Sequence, residues 1–326
     1  MPCRFWIGLN WVVWLMAAAS SASAHDGHDH DVRFTNLLAG NPAGTFDSQV
    51  QISEQRDYRF ISSNGLPEHA TGSFPGPGNP NRIREQTHRF RVPLHPVAAA
   101  RPTALRLGKF GIALNGIPFD PGAAEFWRRD FSSPWQYAVI GGKVDLGLDQ
   151  NQAHVQPTGD YHYHGRPTDL VLRLSREARK ADRSMTLLGY AADGYPVYDC
   201  EIVDERGTTV SLRSSYRLRM GTRPGGNEGP GGRYDGTFVA DYAYVSKAGD
   251  LDEFNGRVGI TPEYPEGTFH YVLTKTFPYI PRMLKGTPDP SFVQRGPGRG
   301  GPPGDRGRGP GGRRPPPFGP PFGPPR

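Results

Sequence analysis

Only two cysteines occur in the 326 residues, and one of them, Cys3, sits ahead of an apolar leader. Cys200 is left without a partner in the chain. An internal disulfide framework is thereby excluded, and a packed core or a bound metal must hold the fold. Tyr198 and Ile202 flank Cys200 in what reads as a strand, so the thiol is expected as a small buried apolar group rather than a nucleophile. After the leader, no apolar run is long enough to cross a bilayer. The sequence also lacks a Gly-rich phosphate loop, a nucleophile elbow and an HExxH helix, which disfavours nucleotide-dependent chemistry and the usual serine and zinc hydrolases.

The two ends differ from the middle. Arg4, an apolar stretch from Phe5 to Ala19 and an Ala22-Ser23-Ala24 ending form the pattern of a secretory signal peptide over residues 1–24. Cleavage is expected after Ala24, giving a periplasmic or secreted protein with no transmembrane span; an uncleaved anchor is the alternative. Residues 25–31, His25-Asp26-Gly27-His28-Asp29-His30-Asp31, would then begin the mature chain. Such a segment chelates divalent metal as a loose tail, or, if structured, through the free amine and ring of His25. Residues 295–326 hold 11 glycines, 11 prolines and seven arginines against the single acid Asp305. With so little apolar surface to bury, this stretch is expected to be disordered. Its net charge of +6 equals that of the whole chain, and removing it and Arg4 leaves −1 for residues 25–294, His counted neutral. The basic tail could meet an anionic cell-envelope polymer or act as a solvated spacer. Export and the neutral body argue against nucleic acid.

Residues 32–294 are expected to fold as one mainly β body, a β-sandwich or barrel-like arrangement of short strands with one or two helices. Runs rich in Val, Ile, Tyr and Phe recur between Gly, Pro, Asn and Asp clusters, at 58–61, 90–94, 137–140, 187–190, 195–198, 238–244 and 269–273. A helix is expected after Pro167, capped by Thr168 or Asp169, with Leu170, Leu174 and Ala178 on one stripe. An internal echo is visible as well. Gly111 to Asp120 resembles Gly189 to Asp199, each is followed by a Leu-Asp pair (Leu148-Asp149 and Leu251-Asp252), and each pair leads to a Gly-x-aromatic-His-Tyr strand at Gly159 or Gly267. One reading is a duplicated β unit in which His270 takes the place of His162 and Val272 that of His164. Common hairpin punctuation is the other, since Asn64-Gly65-Leu66-Pro67 repeats the turn outside the units.

The chemistry concentrates in Tyr161-His162-Tyr163-His164. In a strand, alternate side chains share a face, so His162 and His164 point one way and the tyrosines the other. A hairpin at Pro157-Thr158-Gly159-Asp160 would carry His154 across to join them. Three imidazoles of this kind suit copper or zinc, with His69, His270, Asp149 or water as a fourth ligand. The competing reading is a hydrogen-bonded histidine pair bracing a tyrosine-rich sheet. Asp149, Asp193, Asp252 and Glu253 are candidates for proton transfer. His88 and His95 are expected on the surface.

The run from Leu148 to Gly165, with Tyr161-His162-Tyr163-His164 at its end, resembles the signature of the YHYH-domain proteins. Further likeness lies in Ser63 to His69, Gly194 to Tyr198, Leu251 to Arg257 and Phe277 to Pro281, so it spans nearly the whole body. The resemblance implies a secreted or surface protein and no particular activity. It also implies that the cysteine some relatives carry is replaced here by Phe254, so no disulfide is expected there. Function therefore stays open between a copper or zinc protein, acting in metal handling or metal-dependent catalysis, and a structural, adhesive or carbohydrate-binding surface module without catalysis. Carbohydrate binding would need exposed aromatic faces, and burial of Trp127 and Trp135 would count against it.

Overall fold

A computed structural model describes residues 46–293 and the two-residue strand Val32–Arg33. The leader, the His/Asp-rich segment and the Gly/Pro/Arg-rich tail lie outside the described residues.

In chain order the strands begin with β1 (Val32–Arg33), β2 (Val50–Gln55), β3 (Tyr58–Ser63), β4 (His88–Pro93) and β5 (Ala98–Ala104). They continue with β6 (Gly111–Ala113), β7 (Pro118–Phe119), β8 (Ala153–Val155) and β9 (Tyr161–Tyr163). Helix α1 (Thr168–Lys180) precedes β10 (Leu187–Ala191), β11 (Pro196–Asp199), β12 (Glu201–Val203) and β13 (Thr209–Ser211). The last are β14 (Tyr216–Leu218), β15 (Tyr242–Tyr244), β16 (Gly256–Thr261), β17 (Tyr264–Leu273) and β18 (Met283–Gly286). The body is mainly β with one α-helix among the described residues, as the sequence led us to expect. Two of the expected strands differ: residues 137–140 form a loop with a single bridge at Tyr137, and 239–241 make a 3₁₀ turn before β15.

Strands β1 to β4 form one sheet in chain order, and eight others form a second sheet in the order β16, β17, β11, β10, β6, β7, β9, β8. Among the described residues both sheets keep free edges, so the arrangement is sandwich-like rather than a closed barrel. Ile61, Phe90 and Val92 from the smaller sheet share one core with Ile112, Phe119, Tyr161, Tyr163, Val197 and Tyr271 from the larger. Helix α1 adds Leu170, Val171 and Leu174 to that core, and the stripe expected from the sequence is the buried one. Its cap is not the expected one. Neither Thr168 nor Asp169 caps the helix, whose flanking residue is Pro167 without a side-chain cap. Asn151 does this from another segment: its Oδ1 accepts from Asp169 N at 2.8 Å while its Nδ2 donates to Asp169 Oδ2 at 3.1 Å. This satisfies a first-turn N–H that would otherwise be orphaned.

The larger sheet has a two-fold pattern. At its centre β6 and β10 run antiparallel, with Gly111 opposite Ala191, Ile112 opposite Tyr190 and Ala113 opposite Gly189. Outward on one side come β7, then β9 parallel to it, then β8 antiparallel; outward on the other come β11, then β17 parallel to it, then β16 antiparallel. The turns that open the outermost hairpins also match. Asp149 Oδ1 accepts from Asn151 N and Ala153 N, and Asp252 Oδ1 from Phe254 N and Gly256 N. Gln152 and Asn255 both take positive φ, 53° and 55°. The echo in the sequence is thus a repeated β unit, and the extra length of the second copy holds β12 to β15.

Candidate metal centre

The hairpin expected at residues 157–160 forms. Gly159, at φ 92°, turns β8 onto β9, and a Cβ there would lie 2.6 Å from the Arg84 Cβ, so the turn needs glycine. The register sets Ala153 opposite Tyr163 and His154 opposite His162. His164 follows β9 and its N–H donates to Gln152 O at 2.8 Å, which keeps it on the same face as His162. All three imidazoles therefore arrive together. Ring centroids are 4.8, 4.6 and 4.7 Å apart, at interplanar angles of 73°, 79° and 71°, a three-bladed arrangement.

The nitrogens converge. His164 Nε2 is 3.0 Å from His162 Nε2 and 3.0 Å from His154 Nε2. The candidate donor nitrogens of all three rings lie within 4.8 Å of one another. His162 Nδ1 donates to Asp160 O at 3.1 Å and His154 Nδ1 to Leu146 O at 2.9 Å, which leaves both Nε2 atoms as bare lone pairs in the neutral rings. His164 can supply one proton to one of them, not to both. At least one Nε2 lone pair is thus left without a hydrogen, an arrangement that a cation relieves.

Burial holds the trio neutral. His162 and His164 are 1% and 3% exposed, and His154 is half-buried. Burial lowers His154 to about 4, helped by the neighbouring His162. His162 is lowered to about 4, chiefly by burial against the favourable pull of Asp160. Burial and the other two rings drive His164 well below the ordinary imidazole range; the Asp120 backbone pulls the other way, yet Nδ1 closes no hydrogen bond of good geometry. Three neutral imidazoles are the protonation state a divalent ion requires.

Charged groups surround this face. Asp160 receives His88 Nε2 at 3.0 Å and Lys109 Nζ at 2.7 Å; burial pushes its carboxyl up, but these two partners hold it well below the usual range. His88, expected on the surface, is thus the partner of a buried carboxylate. Asp120 is 5% exposed and accepts a single long bond from Gly122 N, 3.3 Å. Burial raises its pKa against the opposing charge of Lys109, and it lies within electrostatic reach of His154 and Arg282. Asp120, Lys109 and Arg282 were not singled out from the sequence. The one signal was that Asp120 closes the first copy of the echoed motif.

The other candidate residues lie elsewhere. His69 is on the tyrosine face of β9, where its Nε2 accepts from Tyr163 Oη at 2.6 Å and its Nδ1 donates to Ala70 O at 2.8 Å. It is not brought to the trio, because β9 alternates and its histidines point away from its tyrosines. His270 belongs to β17, in the other half of the sheet. Asp149 accepts from Tyr161 Oη and from turn N–H groups, Asp193 from Tyr271 Oη and Gly286 N, and Asp252 from its own turn, so all three are committed to the fold. Cys200 is fully buried, as expected, and burial pushes its thiol up.

A mainly β protein with three convergent, neutral imidazoles on one sheet face is the class that fold and site define. The family model described as YHYH protein matches residues 89–286, more than half of the chain. The chain belongs to that family, and the tetrapeptide that names it supplies two of the three imidazoles. No curated protein and no solved structure matches the chain.

Proposed function

We propose that this is an exported metal-binding protein whose His154, His162 and His164 hold one copper or zinc ion through Nε2. The observation that carries the reading is the convergence of three neutral Nε2 atoms, two of them committed as lone pairs by Nδ1–H bonds to backbone carbonyls. Protein groups supply three donors, which leaves a fourth position for water or an exchangeable ligand. That donor set suits metal-dependent catalysis as well as metal handling, with Asp120 and Arg282, which act electrostatically on His154 and His164, as candidates to act on a bound ligand. Export rests on the signal-peptide pattern of residues 1–24, and among the described residues no helix is long and apolar enough to cross a membrane. The carbohydrate-binding alternative is less well served: Trp135 is buried, with its Nε1 donating to Glu228 O, and Trp127 is half-buried under Arg128.

The test is elemental analysis of untagged chain lacking only residues 25–31, so that the His/Asp-rich segment contributes nothing. One equivalent of copper or zinc is expected, lost in the His162→Ala, His164→Ala double variant. A folded wild-type chain that takes up no ion on titration with either metal overturns the reading.

A further inference from the structure

The two-fold pattern of the larger sheet assigns a counterpart to each member of the trio. His154 faces His162 across β8 and β9, and Arg257 faces His270 across β16 and β17. His164 N donates to Gln152 O at 2.8 Å, and Val272 N donates to Asn255 O at 3.0 Å. Gln152 and Asn255 are the matching positive-φ residues, so Val272 stands where His164 stands. The second copy thus presents Arg257, His270 and Val272 in place of His154, His162 and His164.

His270 is also held as a ligand would be. Its Nδ1 lies 3.3 Å from the carbonyl oxygen of Thr268, two residues back, as His162 Nδ1 lies 3.1 Å from that of Asp160. With Nδ1 donating, Nε2 carries the lone pair. Arg257 Nε donates to that atom at 3.3 Å. His270 is fully buried, and Arg257, on the edge strand β16, is half-buried and is the positive charge beside it. A guanidinium N–H satisfies an imidazole lone pair as a metal ion would, and it brings its own positive charge.

We propose that Arg257, His270 and Val272 are a second centre for a divalent transition metal that lacks two of its ligands, with the Arg257 guanidinium occupying the cation's place on His270. The proposal rests on the reading of His154, His162 and His164 as a metal centre. Arg257→His with Val272→His restores the donor set of the first copy on a backbone that already has its register. Arg257, whose place the ion would take, lies on the edge strand β16 and is only half-buried.

The experiment titrates zinc and copper into full-length wild type, the Arg257→His, Val272→His double variant and the Arg257→His single variant, and reads the stoichiometry gained over wild type. Any N-terminal binding is common to all three and cancels. The double variant is expected to gain one equivalent. The single variant, which keeps the packing of Val272 beside Cys200 and Leu251, is expected to gain one equivalent held at least about tenfold more weakly for want of a ligand. A folded double variant with no gain overturns the proposal. If the double variant does not fold, the single variant decides, and absence of gain there overturns it equally. The two readings fail differently: metal content that survives His162→Ala, His164→Ala sinks the first centre, whereas a missing gain with the first ion in place sinks only the second.

Discussion

Tyr163→Phe separates the two faces of β9. The Tyr163 hydroxyl donates to His69 Nε2 at 2.6 Å and accepts from Asn115 Nδ2 at 2.8 Å, in a fully buried position. Removing it leaves the His69 nitrogen without its donor. Asn115 fares better, because its amide also donates to Glu68 Oε2 at 2.7 Å. One buried group wholly unpaired and a second partly so, at about 1 to 3 kcal/mol each, put the loss of stability at about 2 to 5 kcal/mol. For a body of this size that is a fall in melting temperature of roughly 5 to 15 °C. Because His162 and His164 leave the strand on the other face, metal content should not change. Calorimetry and elemental analysis on the same samples test both halves. A variant as stable as wild type refutes the hydrogen-bond account, and one that folds but loses its metal refutes the separation of faces. Tyr161→Phe is the control: its hydroxyl donates to Asp149 Oδ2 at 2.7 Å, and that carboxylate keeps its backbone donors, so the loss should be about 1 kcal/mol.

Excess copper or zinc should raise the melting temperature of wild type, because an ion bound only to the native state at a thousand times its Kd contributes about 4 kcal/mol; the shift should vanish in His162→Ala, His164→Ala, and an equal shift in both would count against the trio. Asn151→Ala should cost about 1 to 2 kcal/mol in urea unfolding, since it removes the side-chain acceptor of Asp169 N at the start of α1 together with the bond to Ala70 O; a loss under half a kcal/mol would mean that the cap is dispensable. His270, lowered to about 4 by burial and by the Arg257 charge, binds its proton more weakly folded than unfolded, where about 6.5 applies. Its contribution is therefore complete above about pH 6.5 and is lost as pH falls toward 4, by about 3 kcal/mol in total. His270→Gln should flatten that part of the stability profile of metal-free protein, and an unchanged slope would show that the ring is not buried neutral.

Much of this protein was legible in the chain itself. Alternation in Tyr161-His162-Tyr163-His164 settles which side chains share a face, because strand geometry is local, and the apolar stripe of Leu170, Leu174 and Ala178 does the same for the helix. The repeat was visible as paired Gly-x-aromatic-His-Tyr strands. What the chain could not reveal was pairing at long range. That β6 meets β10 and sets the two copies about a common centre follows from sheet order, which no local pattern encodes. His69 looked like a fourth ligand from its turn, yet packing set it under Tyr163. Asn151 caps a helix whose first turn lies 18 residues away in sequence, a contact no local pattern announces. Asp120, Lys109 and Arg282 border the histidines only because burial and sheet order draw distant segments together. Residue type and spacing determined the presence of three ligand-grade imidazoles; tertiary structure decided which three meet, since convergence within a few ångströms depends on the register between strands and not on either strand alone.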